Sequence, residues 1–329
     1  MSHSIEATLA CWNYDRTIPL QTGQIQPEGI KLNYLPLHPF ETFWRQLHNF
    51  EFEISEMSLS YYLLLLDRGV RDLIAMPVFP SRTFRHSAIF INTDSGIEKP
   101  EDLRGKRFGL MEYQQTASVW IRGLLDDEYG VKPEEISWIV GGVDKAGLGE
   151  KLSLQVENVD IQYASPGTTL QDMLLNGEID ALAAPHIPEA FHRPSSKIRR
   201  LFVDYQKAEE DYFRKTGIFP IMHTVALKRS FYEKYPWSAQ SLFKAFSESK
   251  KWAMKNLKDT AALTTTLPWV VPHVDRAISV MGEDYWPYGL NKNRHVLEKA
   301  IQYSYNHGLI KRKFTVEELF VPGLFDLEL

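Results

Sequence analysis

The 329-residue sequence contains one cysteine, Cys11, so no intrachain disulfide can form and nothing ties the chain to an oxidising compartment. It has no long hydrophobic run. Its longest apolar block, residues 61–66, falls far short of the roughly 20 residues that a membrane span needs. It has no surplus of positive charge: the formal net charge is −5 and no Lys/Arg run is extended, so neither nucleic acid nor a membrane surface is an expected partner. G-x-G-x-x-G, G-x-x-x-x-G-K-[ST] and G-x-S-x-G are all missing, which leaves nicotinamide, nucleotide and serine-hydrolase chemistry without a motif. Residues 1–16 have no basic n-region followed by an apolar stretch, so a cytoplasmic location is expected. There are no low-complexity tracts or short-period repeats.

What is present is an ordinary globular composition, 44% hydrophobic and 24% charged, with length enough for two domains at about 100–200 residues each. Strand and helix patterns alternate. Residues 6–12, 30–37, 52–57 and 73–79 read as strands. Residues 39–48 place Phe40, Phe43, Trp44 and Leu47 at amphipathic helix spacing, and residues 58–66 begin another helix. A second series follows: strands at 87–92, 107–112, 136–140, 181–184 and 198–203, and helices at 100–104, 116–129, 170–175 and 205–215, with 141–155 as an exposed loop. Residues 218–227 form a second apolar crossing strand, and the tail from 230 is mainly helical, clearest at 237–253 and 293–307, with 269–272, 286–288 and 321–323 as loops. Such alternation predicts an α/β fold with two lobes, each a mostly parallel sheet flanked by helices. Lobe one is expected to hold residues 1–82 and 221–329, and lobe two 83–220, with crossovers near 79–87 and 205–222.

The first crossover, within residues 77–94 (PVFPSRTFRHSAIFINTD), carries Arg82, Arg85 and His86 within five residues. A cationic connector between lobes belongs at the mouth of a cleft, where small ligands bind; a solvated basic turn is the plainer alternative. In open parallel sheets, ligands lie beyond the carboxyl ends of the strands. That rule selects Asp15 and Arg16, Glu56 and Ser58, Arg82 and His86, Tyr113 to Ser118, His186 and His223. Ser58 and Ser60, like Thr116 and Ser118, open helices whose N-termini favour anions, although N-capping alone would also place them there. His86, His186 and His223 are candidates for proton transfer near neutral pH, or else packed histidines. Together with Glu56 they leave a divalent metal open, but no HxH, HxxxH or HExxH spacing supports one, and no cofactor is expected. Trp12, Tyr14, Phe84, Tyr113, Trp120 and Trp286 are placed to stack on an aromatic ligand, though most aromatics fill cores.

Two α/β lobes joined by two crossing strands, with a tail returning to lobe one, resemble the type II periplasmic binding protein fold, and EKPEDLRGKRFGL (98–110) is similar to the start of lobe two in such proteins. More specifically, ACWNYDRT (10–17), EISEMSLSYYL (53–63), PVFPSRTFRHSAIFIN (77–92) and GLMEYQQTASVWIRGLL (109–125) resemble the 4,5-dihydroxyphthalate decarboxylase family. APHIP (184–188) and FPIMHTVAL (219–227) extend the likeness over nearly the whole chain. The resemblance implies a cytoplasmic carboxy-lyase of phthalate degradation, part of aromatic catabolism, that needs no organic cofactor and converts 4,5-dihydroxyphthalate to protocatechuate and CO2. A small aromatic acid would then be the partner, and homo-oligomerisation stays open. On this reading Arg82 holds a substrate carboxylate, helped by Arg16 or Arg85, with Ser58, Thr116 and Ser118 donating and Asp15, Tyr113 and Trp286 alongside. His223 is the first choice as acid at the ipso carbon, before His86 and His186, and Glu56 serves the phenol as base or acceptor. The alternatives are a non-catalytic solute-binding protein for an aromatic or heterocyclic carboxylate, and an enzyme acting on another such acid.

Overall fold

The computed structural model describes residues 4–147, 152, 154, 156–194 and 196–327. In chain order the first elements are β1 (Ile5–Ala10), α1 (Ile18–Gln21), β2 (Ile30–Leu35), α2 (Pro39–Asn49), β3 (Ile54–Ser58), α3 (Leu59–Asp67) and β4 (Leu73–Arg82). Then come β5 (Ile89–Asn92), β6 (Arg107–Leu110), α4 (Thr116–Tyr129), β7 (Ser137–Val140), β8 (Ile161–Tyr163), α5 (Leu170–Leu175), β9 (Ala181–Ala183), β10 (Ile198–Arg200) and α6 (Tyr205–Thr216). The last are β11 (Ile221–Lys228), α7 (Arg229–Lys234), α8 (Ser238–Leu257), α9 (Val270–Met281) and α10 (Arg294–Asn306). They form two compact units. One comprises Met1–Arg82, Thr216–Glu298 and Phe314–Leu329, the other Thr83–Lys215 and Lys299–Lys313.

The first unit is built on a five-stranded sheet of order β2-β1-β3-β11-β4. β1 runs parallel to β2 and β3, while β11 is inserted antiparallel between β3 and β4. All five residues of β3 are buried, and eight residues of α3 are buried with it, because SYYLLLL is apolar on every face. In α2, Phe43 and Leu47 are buried but Trp44 is 50% exposed. Trp44 follows Phe43 directly, about 100° further round the helix, so the two cannot share a face; its ring lies on His48 at 4.0 Å instead. The second unit carries a six-stranded sheet of order β10-β5-β9-β6-β7-β8, in which β5 alone runs against the others.

Several elements depart from the expected pattern: α1 was not expected, and the expected loop 321–323 includes the start of a 3-10 turn, Pro322–Leu324. β4 continues to Arg82, past the expected end at residue 79, because Arg82 pairs with Ile221 of β11. The stretch 269–272, expected as a loop, is the start of α9. Pro272 is its third residue, within the first turn, where a missing N–H costs no intrahelical bond. The short β8 lacks an apolar run and is held in the sheet only by pairing with β7. The expected loop 141–155 lies partly outside the described residues.

Residues 299–313 belong to the second unit, where the expected division had placed them in the first. Here α10 meets α4 through aromatic packing: Tyr303 sits edge-on to Trp120 at 5.6 Å, and its hydroxyl donates to Asp127 at 2.6 Å. Gly123 makes this approach possible, since a Cβ there would lie 2.2 Å from Tyr303 ring atoms. Gly123→Ala should destabilise the protein by about 1–3 kcal/mol, the usual range for overpacking. Urea denaturation checks this; an unchanged midpoint would mean that the ring can withdraw at no cost.

Candidate active site

Glu56 is the central residue of β3 and has no exposed surface. Register determines what surrounds it. On the β11 side, Val225 lies opposite Glu56 and His223 opposite Ser58, so His223 is on the same face one diagonal away. Its Nδ1 lies 2.6 Å from Glu56 Oε1. On the other side, the parallel pairing of Ala10 with Ser55 carries the chain beyond β1 to Glu56. The Trp12 N–H donates to Oε2 at 3.0 Å, and the Cys11 thiol lies 3.7 Å from the same oxygen. The next turn brings the Tyr14 hydroxyl to Oε1 at 2.6 Å.

The carboxylate thus has four partners. Burial alone would raise its pKa, but the His223 charge and hydrogen bond, the Tyr14 hydroxyl and the Trp12 amide together hold it below the usual carboxylate value. The same arrangement keeps the donors protonated. Burial first, then the charge of Glu56, pushes the Tyr14 phenol and the Cys11 thiol up. His223 packs edge-on against Phe43 at 4.8 Å, its side chain is 18% exposed, and its Nε2 has no partner among the described residues.

Two residues beyond Tyr14, Arg16 extends the cluster. Its guanidinium carbon lies 4.2 Å from the Tyr14 ring centroid and 4.1 Å from that of Trp286, a cation held between two aromatic faces. Nε donates to Pro80 O at 2.6 Å and Nη1 to Asp15 at 2.9 Å, while Nη2 has no partner among the described residues. Trp286 is fixed by its own N–H, which donates to Phe79 O at 2.9 Å. Asp15, Arg16, Glu56, His223 and Trp286 are therefore brought together in one unit. Tyr14, read from sequence only as a stacking surface, and Cys11, read only for disulfides, join them. The signal for Tyr14 was its place directly after β1, beside Asp15 and Arg16.

The remaining expected residues have other surroundings. Arg82 is 5% exposed and donates through Nη1 to Phe219 O at 3.0 Å and through Nη2 to Pro287 O at 2.9 Å and to Asn293 Oδ1. Its terminal nitrogens hold the backbone of the first unit, an occupation different from the expected capture of a carboxylate. Burial brings its pKa down to about 9. Glu56, expected at the phenol, has no exposed surface to offer a substrate and is bonded instead to His223 and its other partners. Ser58 precedes α3 and Thr116 opens α4; they and Ser118 are buried, and neither helix has a side-chain N-cap bond.

In the second unit, Arg85 is half-buried near Glu209, and His86 is packed against Phe202 and Tyr212 at 5.0 and 5.3 Å. Burial lowers the His86 pKa to about 4, which keeps the ring neutral. His186 is a half-exposed partner of Asp144 at 2.5 Å. Tyr113 is buried beneath the guanidinium of Arg122. Among the described residues, no group of three or more His, Cys, Asp or Glu side chains gathers to hold a metal ion.

The Glu56 network has a pH signature. A carboxylate with a depressed pKa stabilises the fold fully above its unfolded value, 4.5, and loses that contribution as pH falls through the lower folded value. Between pH 5 and 3 the wild type should lose more stability than Glu56→Gln, measured as the midpoint of thermal unfolding. Parallel curves would show that the carboxylate is not preferentially ionised in the fold.

Residues 26–182 match the family model of the ABC-transporter phosphonate periplasmic substrate-binding proteins. A Comamonas testosteroni protein named 4,5-dihydroxyphthalate decarboxylase is 39% identical over 320 residues, 97% of each chain. A Pseudomonas putida protein of the same name is 38% identical over 213 residues, 64% of this chain and 83% of that one. Among solved structures, the periplasmic aliphatic sulphonate binding protein SsuA of Escherichia coli is 14% identical and aligns with a TM-score of 0.53 over 98% of this chain and 99% of its own. That likeness concerns the fold, which is the α/β fold of periplasmic binding proteins. By the 39% identity over nearly its full length, the chain belongs to the 4,5-dihydroxyphthalate decarboxylase family.

Proposed function

We propose that the chain is a carboxy-lyase that removes one carboxylate from an aromatic dicarboxylate, and that its substrate is 4,5-dihydroxyphthalate, the acid for which its relatives are named. The observation that carries this reading is the His223–Glu56 pair at 2.6 Å, with the outer ring nitrogen unpartnered among the described residues, in a chain so similar to those relatives. The ring chemistry supports it. Each carboxylate of the substrate is para to a hydroxyl. Electron release from that hydroxyl lets the ipso carbon take a proton; the C–C bond to the carboxylate then breaks, its electron pair restores the aromatic ring, and CO2 leaves.

Glu56 accepts from His223 Nδ1 and so leaves Nε2 as the position that delivers the proton. Arg16 replaces Arg82 in our assignment of the anion contact. It has one guanidinium nitrogen to spare and is held rigid between two rings, whereas the terminal nitrogens of Arg82 are already engaged. Neither step requires an organic cofactor. No helix among the described residues is long and apolar enough to cross a membrane. A cytoplasmic location is part of the same proposal, and cell fractionation tests it.

Incubation of the purified protein with 4,5-dihydroxyphthalate should release CO2. Binding without release would instead identify a solute-binding protein. His223→Gln should lower turnover by about 100-fold or more with binding retained, as expected for loss of a general acid. Arg16→Met should weaken binding by about tenfold, the equivalent of one charge-assisted hydrogen bond. Near-normal turnover in His223→Gln would remove the proposed acid, and unchanged affinity in Arg16→Met would remove the proposed anion contact.

A further inference from the structure

The second unit buries a positive charge that no described residue compensates. Arg122, on α4, is 1% exposed. Its Nη1 donates to Tyr113 O at 2.7 Å, and its guanidinium carbon lies 3.6 Å from the Tyr113 ring centroid and 5.9 Å from that of Trp138. Nε and Nη2 have no hydrogen-bond partner among the described residues. Among the other buried polar atoms that share this condition are the Tyr113 hydroxyl and His307 Nδ1. The Tyr113 hydroxyl stands at the edge of the ring that the guanidinium covers. His307 is stacked on Tyr303 at 5.8 Å, and Tyr303 packs edge-on to Trp120 of α4. Burial, then the charge of Arg122, holds the His307 imidazole well below its usual pKa, so it adds no second positive charge. No carboxylate among the described residues contributes to the electrostatics of Arg122.

Buried polar atoms are almost always satisfied, and a buried charge is almost always paired. A guanidinium cannot escape by giving up its proton. Water could meet the N–H groups but would leave the charge uncompensated. Exposure limits the size of an occupant, since Tyr113, Arg122 and His307 are 1%, 1% and 3% exposed. We propose that Arg122, the Tyr113 hydroxyl and His307 Nδ1 form a binding site for one small monovalent inorganic anion of the chloride class. The bound ion is structural. It joins α4 to the segment 299–313, which Tyr303 and Lys299 already tie to Asp127.

Two measurements on the full chain decide the matter. Crystals of the wild type grown in bromide should show an anomalous peak within hydrogen-bond reach of Arg122 Nε and Nη2. Replacing gluconate by chloride at constant ionic strength should raise the wild-type Tm by about 5 °C at 100 times the dissociation constant. Arg122→Met should lose that shift. The absence of a bromide peak would overturn the proposal, as would a peak without any chloride effect on Tm, which would mark an adventitious ion only. An equal chloride shift in Arg122→Met would also overturn it. If that variant does not fold, the bromide density and the wild-type chloride titration decide together: both positive support the site, and failure of either rejects it.

Discussion

A carboxylate in the middle of a β-sheet, with none of its surface in water, survives only if its oxygens are answered by donors. Glu56 is answered from three directions: by the amide and thiol just beyond β1, by the phenol of the following turn, and by the imidazole on β11. Truncating one partner of such a buried pair typically costs about 3–5 kcal/mol, because the other charge is left stranded. The strand order follows the same requirement. β11, inserted between β3 and β4, is the strand that brings His223 to this face of β3. The backbone pairing that completes the sheet is also what positions His223.

The arginines of the same unit show how burial decides what a cation can do. Arg82, in a strand paired to β11, is drawn into the interior, where its Nη1 and Nη2 meet backbone carbonyls and Asn293. Lys250 behaves similarly: it is 3% exposed, pairs with Asp284 and donates to Trp286 O. These two cations fix the chain on both sides of Trp286, and the indole they hold covers Arg16. Arg16 comes from a turn, not from a strand, and so keeps 15% of its side chain exposed. The engaged cations fix the chain around Trp286, and Arg16, mostly covered but not closed off, is the one proposed to meet a ligand.

Much of this architecture was legible in the sequence because burial on both faces leaves a compositional mark. β4 and α3 are largely apolar runs, and they, β3 and β11 were placed within a few residues. The rule that ligands lie past the carboxyl ends of strands also selected Arg16, Glu56 and His223, which the first unit brings close to one another. It failed where a residue's partner depends on register. Arg82 looked like a ligand-facing connector because nothing local shows that β4 continues through it to pair with Ile221. Glu56 looked like a base, because its four partners come from two distant segments, residues 11–14 and β11, whose alignment with β3 only the folded sheet reveals. Pro272 concealed the start of α9, since a proline in a first turn and a proline in a loop look alike.

The three candidate histidines illustrate how environment, more than residue type, assigns chemistry. His86 is packed against two aromatic rings, and its burial keeps it neutral where an acid is required. His186 has a carboxylate partner, but the pair stands half in solvent, where water competes for each hydrogen bond and lends it no fixed direction. His223 alone combines a buried carboxylate at one nitrogen with an unpartnered second nitrogen at a partly open surface. In the proposed mechanism, a proton held on one side and presented on the other is returned after each turnover, because Glu56 keeps the ring in one orientation. The carboxylate that the fold cannot expose is therefore the group that makes the exposed imidazole directional.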